Sequence, residues 1–353
     1  MHSAQSASGV VTPTARGELS ATPSYPATGI DPLNLVFPRV IDATMRSDWW
    51  KCPHAFFRRH LQGLVRPRIN VHLHFGSCMA KGLEAARREY HTSSDTNDAL
   101  IAGCETLIQS WGDFPEPTNP SRSEAAKTLQ GGLHALQHYF AEWPLDDDML
   151  QIHTHNGAPC IEWSGAWPIP GSRHPDTSEP ILYAGRFDLI ADFQRATWGL
   201  DDKTTSIDPN HDSWRNQWRL RGQFTGYTWL AHNFGIPLKG FIVRGIGVQK
   251  TDIKLGYAIV PRPPWMVERW LRQLQDDTHE MCQQYSNLIQ RFEGFDEAPY
   301  AGHPFPQAFD YACADFGGCT YLDLCTSEHP EDWTDQFEVQ RWDPLVRAED
   351  SAA

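Results

Sequence analysis

The chain has 353 residues, a mass of 40.0 kDa and 40% apolar residues, enough to core one large α/β domain or two smaller ones. Fourteen Trp and an aromatic share of 12% exclude a wholly disordered chain. A formal charge of −14 argues, taken alone, against a protein that coats a polyanion. The charge is unevenly placed, however. Residues 49–83 hold no acid and carry Lys51, Arg58, Arg59, Arg66, Arg68 and Lys81. Residues 213–251 hold none either and carry Arg215, Arg219, Arg221, Lys239, Arg244 and Lys250. These +12 stand against −26 over the rest, part of it in an acidic tail at 326–353. Two such stretches in an acidic chain predict a segregated basic surface.

In chain order, residues 1–33 are rich in Ser, Thr, Ala, Gly and Pro and read as a disordered leader. No secretory pattern is evident and no run approaches the roughly 18 apolar residues of a membrane span, so a soluble, cytoplasmic protein is expected. Thr44 or Ser47 is the expected cap of a short helix through WWKCPHAFFRRHL. Further helices are predicted over 76–90, 98–111 and 123–143. Strands follow at 158–169, 181–193 and 197–201, then a helix over 213–234, strands at 240–248 and 253–260, and a helix over 264–292 that starts at a Pro. This order predicts an α/β fold: a central mixed β-sheet flanked by helices, with an N-terminal helical region.

The chemistry concentrates in YAGRFDLIADF and WGLDDKTTS. Only a short loop separates them, so they form a hairpin. Along a strand Asp201 and Lys203 share one side and Asp202 takes the other. An acid and a Lys opposite Asp188 on the neighbouring strand suit a hard cation, Mg²⁺ or Mn²⁺. Such a Lys can orient an attacking water or stabilise charge developing on a phosphate. Gln223 and Tyr227, four apart, share a helical face. Arg215, Arg219 and Arg221 suit phosphate contacts, and Thr204, Thr205 and Ser206 add hydroxyls. Trp214, Trp218 and Trp229 offer either stacking surfaces or core. Of eight cysteines, Cys78, Cys104, Cys160 and Cys282 are scattered, whereas Cys313, Cys319 and Cys325 are spaced with five residues in each gap. In a reducing compartment such thiols are free, catalytic or metal-bound.

Taken together, SDWWKCPHAFFRRHL, FGSCMAKGLEAAR, GRFDLI, LDDKTTS, QFTGY and CADFGGCTYLDLC resemble a PD-(D/E)XK nuclease of the RecB-like branch. This branch includes CRISPR-associated iron–sulfur nucleases and phage exonucleases. The resemblance spans residues 40–325 and implies a restriction-endonuclease-like nuclease domain over 34–325. It implies a Mg²⁺- or Mn²⁺-dependent deoxyribonuclease, preferably an exonuclease on single-stranded or duplex DNA ends, in DNA processing, recombination or repair alongside protein partners. By the resemblance Asp188, Asp201 and Lys203 are catalytic. Asp188, Asp201 and the Asp202 backbone carbonyl hold the metal. Gln223 and Tyr227 contact DNA, with Arg215, Arg219, Arg58 and Arg59 guiding the strand. Cys52 joins Cys313, Cys319 and Cys325 around a 4Fe–4S cluster, with zinc as the alternative.

The sequence departs from this pattern at Ala80, where the branch usually has a metal-ligating His. Glu84, His72 and His74 are the candidate substitutes, and Glu162 is a candidate secondary contact. A catalytically weakened nucleic-acid-binding protein of the same fold is therefore the alternative expectation, and an adaptor that uses the cluster as a staple is a third.

Overall fold

The computed structural model describes residues 35–67, 70–115, 120–121, 123–146, 149–250, 252–293, 303–309, 311–314 and 318–346. The predicted leader, Arg68 and residues 347–353 of the acidic tail lie outside them.

The chain enters through β1 (Val40–Ile41) and α1 (Ala43–Lys51). Asp42 caps α1, its carboxylate accepting from the Met45 N–H at 2.8 Å. Thr44 and Ser47 fall inside the helix, because Asp42 already serves the first free N–H groups. The predicted helix through 61 breaks at Cys52, which is extended (φ −164°, ψ 109°). Pro53 follows, and a proline disfavours helical geometry in the residue before it. α2 (Pro53–Phe56) and a π-turn over Phe57–Leu61 continue the run. β2 (Leu64–Val65) then pairs with β11 (Glu338–Val339), so the C-terminal region folds back onto the N-terminal one.

Three helices come next: α3 (Val71–Ser93), α4 (Thr96–Trp111) and α5 (Leu129–Glu142). Asn70, Asp95 and Thr128 cap them. α3 thus starts ahead of its predicted 76, and α5 starts after its predicted 123, because the capping side chains lie at 70 and 128. The strands are β3 (Leu150–Ile152), β4 (Thr154–His155), β5 (Ala158–Pro159), β6 (Ile161–Pro168), β7 (Leu182–Phe193), β8 (Ala196–Thr205), β9 (Leu238–Val248) and β10 (Ile253–Pro261). Between β8 and β9 lie α6 (Asp212–Asn216) and α7 (Gly222–Asn233). α8 (Pro264–Glu293) and α9 (Leu322–Thr326) follow the sheet.

The fold is α/β, with a seven-stranded mixed sheet of order β1-β7-β8-β9-β10, to which β3 and β6 add on β7. β1–β7 and β8–β9 are parallel, and the other pairs are antiparallel. One apolar cluster joins Met45, Tyr183, Phe187, Phe224, Phe241 and Trp270, packing α1, α7 and α8 against the sheet. A second joins Phe75, Met79, Leu107, Leu136, Ile246 and Val248, packing α3, α4 and α5 against its other face. The helices therefore flank both faces of the sheet.

Two local features shape the site. β7 and β8 are joined by Gln194 and Arg195 alone, both with positive φ (49° and 62°), as a two-residue hairpin turn that follows the strand twist requires. The ladder from that turn ends at Leu189↔Leu200. On the same edge β1 pairs only with Leu182 and Tyr183, so among the described residues that edge of β7 from 184 to 188 has no strand partner. β8 instead continues alongside β9, as far as Thr205↔Gly247. The sheet opens where β7 and β8 part, and the first residues beyond the ladder are Asp188 and Asp201.

Among the described residues no helix is long and apolar enough to cross a membrane.

Candidate active site

The hairpin register that pairs Leu189 with Leu200 sets Asp188 against Asp201. The Asp188 carboxylate accepts the Asp202 N–H at 2.9 Å, which ties the two strands together at the opening. Lys203 Nζ lies 2.6 Å from Asp201 Oδ1. Asp201 is only 2% exposed. Burial raises the pKa of Asp188 well above the usual carboxylate range, and the Asp201 charge adds to it. Burial also raises Asp201, although Lys203 opposes the shift. One ammonium does not offset two buried carboxylates.

α7 supplies the side that Asp201 faces. Gln223 Nε2 is 3.5 Å from Asp201 Oδ2, and the same side chain hydrogen-bonds Tyr227. The Tyr227 hydroxyl is pushed up to about 12, chiefly by burial. Its ring lies so close to β7 that a Cβ on Gly185 would come within 2.6 Å of it, which explains the glycine in GRFDLI. The Arg221 charge reaches Asp201. Gln223, Tyr227 and Arg221 also line a cavity of about 340 Å³ against α1, with Thr44, Arg46 and Trp270.

α3 supplies the opposite wall. Gly76, Ala80 and Leu83 line a cleft of about 550 Å³ with Asp188, Lys203 and Thr204. Ala80 is exposed there, and its methyl group cannot coordinate a metal. Glu84, one turn on, pairs with Arg88 at 2.7 Å and is absent from the cleft wall. His72 lines the cleft, whereas His74 stacks on Phe114 at 4.0 Å and contacts the Trp111 carbonyl. Glu162 stands at the β6 position opposite Asp188, between the pairs Ile161↔Leu189 and Trp163↔Phe187. It has a positive φ of 49°, pairs with Arg186 at 3.3 Å, and its charge reaches Asp188.

The Asp202 side chain points the other way from Asp201, as strand alternation predicts. Its Oδ2 accepts from Arg87 at 2.5 Å and its Oδ1 from the Tyr139 hydroxyl at 2.8 Å. Arg87 and Arg244 also donate to that hydroxyl, at 2.8 and 2.9 Å. Sequence reasoning passed over Arg87, Tyr139 and Lys127, the last of which lines the 550 Å³ cleft. Nothing in their local sequence marks them, because each gains its role from a distant strand.

The predicted helix over 213–234 is two helices. Buried Arg262, from the end of β10, donates to the Trp218 and Arg221 carbonyls that a continuous helix would use. Arg219 and Arg221 therefore lie in the connection and not on the Gln223 helix. Arg215 contacts Asn210, and Arg219 is exposed. Trp214, Trp218 and Trp229 are buried and belong to the core, not to a stacking surface.

Several side chains of the basic stretches are engaged within the fold. Arg59 pairs with Asp48 at 2.9 Å, Arg66 with Asp323 at 2.6 Å, and Arg244 sits over Trp143 at 4.6 Å. Acids from outside the stretches and aromatic rings from other helices claim them. Arg58 donates to Gln62 and lies near Cys325.

Cys52 sits at the break between α1 and α2. Its sulfur accepts from Ala308 N at 3.5 Å, and Cys313 Sγ contacts the Ala308 carbonyl at 3.6 Å. Cys319 N donates to the Cys313 carbonyl at 2.9 Å. Cys319 and Cys325 pack on Leu64, Tyr321, Leu324 and Phe337. Burial raises both thiols, Cys325 to about 11, and each also feels the charge of Cys52 and Cys313. The four cysteines thus occupy one region, with Lys51 and Arg58 as nearby positive charge suited to thiolates. Among the described residues no three or more His, Cys, Asp or Glu side chains form a metal-holding group. Asp188 and Asp201 are two acids only and so do not reach such a group. The oxygen donors and surplus negative charge of the pair suit a hard divalent cation.

No family model matches the chain, and no curated protein matches it. Among solved structures, one described as the crystal structure of SSO0001 aligns with 56% of this chain and 73% of its own, at 14% identity and a TM-score of 0.25. A similarity at that level carries no argument about function.

Proposed function

We propose that the protein is a metal-dependent deoxyribonuclease of PD-(D/E)XK type that hydrolyses phosphodiester bonds in DNA, with DNA ends as its preferred substrate. The observation that carries this reading is the meeting of Asp188, Asp201 and Lys203 where β7 and β8 separate, beside an open cleft. Asp188, Asp201 and the Asp202 carbonyl would hold Mg²⁺ or Mn²⁺, which when bound supplies Lewis-acid stabilisation of the phosphoryl oxygens and an acidified water. The chain's own residues do the rest. Lys203 stays protonated beside Asp201, its pKa raised by the carboxylates against the effect of burial. It is placed to hold a phosphate oxygen or orient the attacking water. Gln223 and Tyr227 fix the Asp201 carboxylate from the α7 side and offer polar contacts to the strand. The cysteine region would take a 4Fe–4S cluster, or zinc, tying residues near 52 to those near 313–325.

Ala80 favours a second reading. It leaves an open methyl group in the cleft wall where a further ligand would stand, as in a catalytically weakened nucleic-acid-binding protein of the same fold. Digestion of end-labelled single- and double-stranded DNA in Mg²⁺ or Mn²⁺ separates the two. We expect cleavage by the wild-type chain, loss of cleavage in Asp201→Ala and a gain in Ala80→His. Equal activity in all three would sink the catalytic assignment. Binding without cleavage, even in Ala80→His, would favour the second reading. For the cysteine region, anaerobically purified protein should absorb visible light and lose that absorption in Cys319→Ala. A colourless protein with stoichiometric zinc would overturn the iron assignment.

A further inference from the structure

The cleft holds a cation that the reading above leaves unused. Lys127 lies just ahead of α5, and its side chain forms part of the cleft wall at 2% exposure. Among the described residues its ammonium has one hydrogen-bond acceptor, the Thr205 carbonyl at a long 3.4 Å, and it sits 4.6 Å from the centre of the Phe75 ring. Among the described residues no carboxylate pairs with it. Burial pushes its pKa down to about 8. A buried ammonium with so little compensation disfavours folding, and an apolar side chain of similar length would pack there at less cost.

The surroundings indicate what would compensate it. The hydroxyls of Thr204, Ser206 and Ser77 line the same cleft as Lys127. One of the two acids on the cleft wall, Asp202, is already neutralised by Arg87. An ammonium that shares a cleft with several hydroxyl-bearing residues suits an anion with several acceptor oxygens, and a phosphodiester is such a group. We propose that Lys127, with the Thr204 and Ser206 hydroxyls, forms a subsite for a backbone phosphate of a bound nucleic-acid strand, distinct from the phosphate facing Asp188 and Asp201. This inference rests on the nuclease reading and adds a binding position to it. Lys127 would set where the strand lies and leave the chemistry to the carboxylates.

The test is binding of a labelled single-stranded oligodeoxynucleotide to the full chain in EDTA, over a salt series, for wild type, Lys127→Met and Lys127→Arg. Lys127→Met should weaken binding roughly tenfold and flatten the slope of log K against log salt by about 0.7, the share of one phosphate contact on a single strand. Its thermal midpoint should equal or exceed that of wild type, and Lys127→Arg should retain affinity and slope. Unchanged affinity and slope in Lys127→Met would overturn the subsite while leaving the nuclease reading intact. A Lys127→Met chain that melts early, with Lys127→Arg binding no better, would also overturn it, in favour of a purely structural lysine. If wild type neither binds nor cleaves the oligonucleotide, the nuclease reading fails first and the subsite falls with it.

Discussion

Asp201 and Asp202 are neighbours in sequence, and strand alternation sends them to opposite sides of β8. On one side the Asp202 carboxylate is saturated. Arg87 and Tyr139 each donate to it, and Arg244 supports Tyr139 from β9. A guanidinium and a hydroxyl serve this single acid directly, and a second guanidinium holds the hydroxyl. On the other side two acids, Asp188 and Asp201, share Lys203, and both are raised by burial. Equal chemistry in equal burial thus gives one acid that holds the fold together and one that still needs positive charge. An under-compensated pair at the opening of a sheet is what a cation or a phosphate-bound cation would complete.

Two substitutions break the comparison most sharply. If the proposed nuclease reading holds, Asp201→Ala should cut DNA cleavage by on the order of 10³-fold, since it removes a proposed metal ligand worth several kcal/mol of transition-state stabilisation. The fold should survive, as read by an unchanged urea midpoint. Asp202→Ala should act in reverse. It leaves Arg87 buried without its carboxylate, which costs about 3–5 kcal/mol of stability. Urea unfolding reads that loss directly. If the two variants lose stability equally, the two sides of β8 are not different in kind.

Lys127 extends the contrast to a cation. Its folded pKa of about 8 lies below the ordinary 10.5, so the unfolded chain binds the proton more tightly between those values. This group's penalty is therefore greatest below pH 8 and fades as pH rises towards 10.5. Lys127→Met should be more stable than wild type by on the order of 2–3 kcal/mol at pH 7. That advantage should shrink steadily when melting is repeated at rising pH. A gain that does not vary with pH would mean the ammonium is compensated in the folded chain.

The sheet and the acid pair were legible because both rest on local rules. Period-2 alternation and the short loop between the two strands predict a hairpin that sets Asp188 on the strand beside Asp201 and Lys203 before any tertiary contact is known, and the register Leu189↔Leu200 then fixes the pairing. Gln223 and Tyr227 follow from helical spacing in the same way. The features that escaped the sequence are made by distant partners. The break between α6 and α7 is imposed by Arg262, some forty residues on, which claims the Trp218 and Arg221 carbonyls. The basic stretches look segregated in sequence, yet Arg66 finds Asp323 and Arg59 finds Asp48 once folded. Trp214, Trp218 and Trp229 read more readily as core than as stacking surfaces on an amphipathic helix, and the core they join against the sheet agrees.

The smallest expected effect is also the most specific. Asp188→Asn removes one of the two under-compensated charges but keeps an oxygen to accept the Asp202 N–H. At pH 7 and without metal it should raise stability by about 1 kcal/mol, a few degrees in Tm. Because the folded pKa values of Asp188 and Asp201 lie above 3.8, protonation favours the folded chain. Wild type therefore gains stability as pH falls towards 4, and the advantage of Asp188→Asn should vanish there. Mg²⁺ or Mn²⁺ should invert the order at pH 7, since a cation that binds the folded chain stabilises it by mass action and Asp188→Asn has lost an anionic donor. A structural carboxylate like Asp202 would show neither the pH crossing nor the inversion. Thermal melts of wild type and Asp188→Asn, with and without metal at two pH values, thus separate an acid that serves the fold from one that serves a cation.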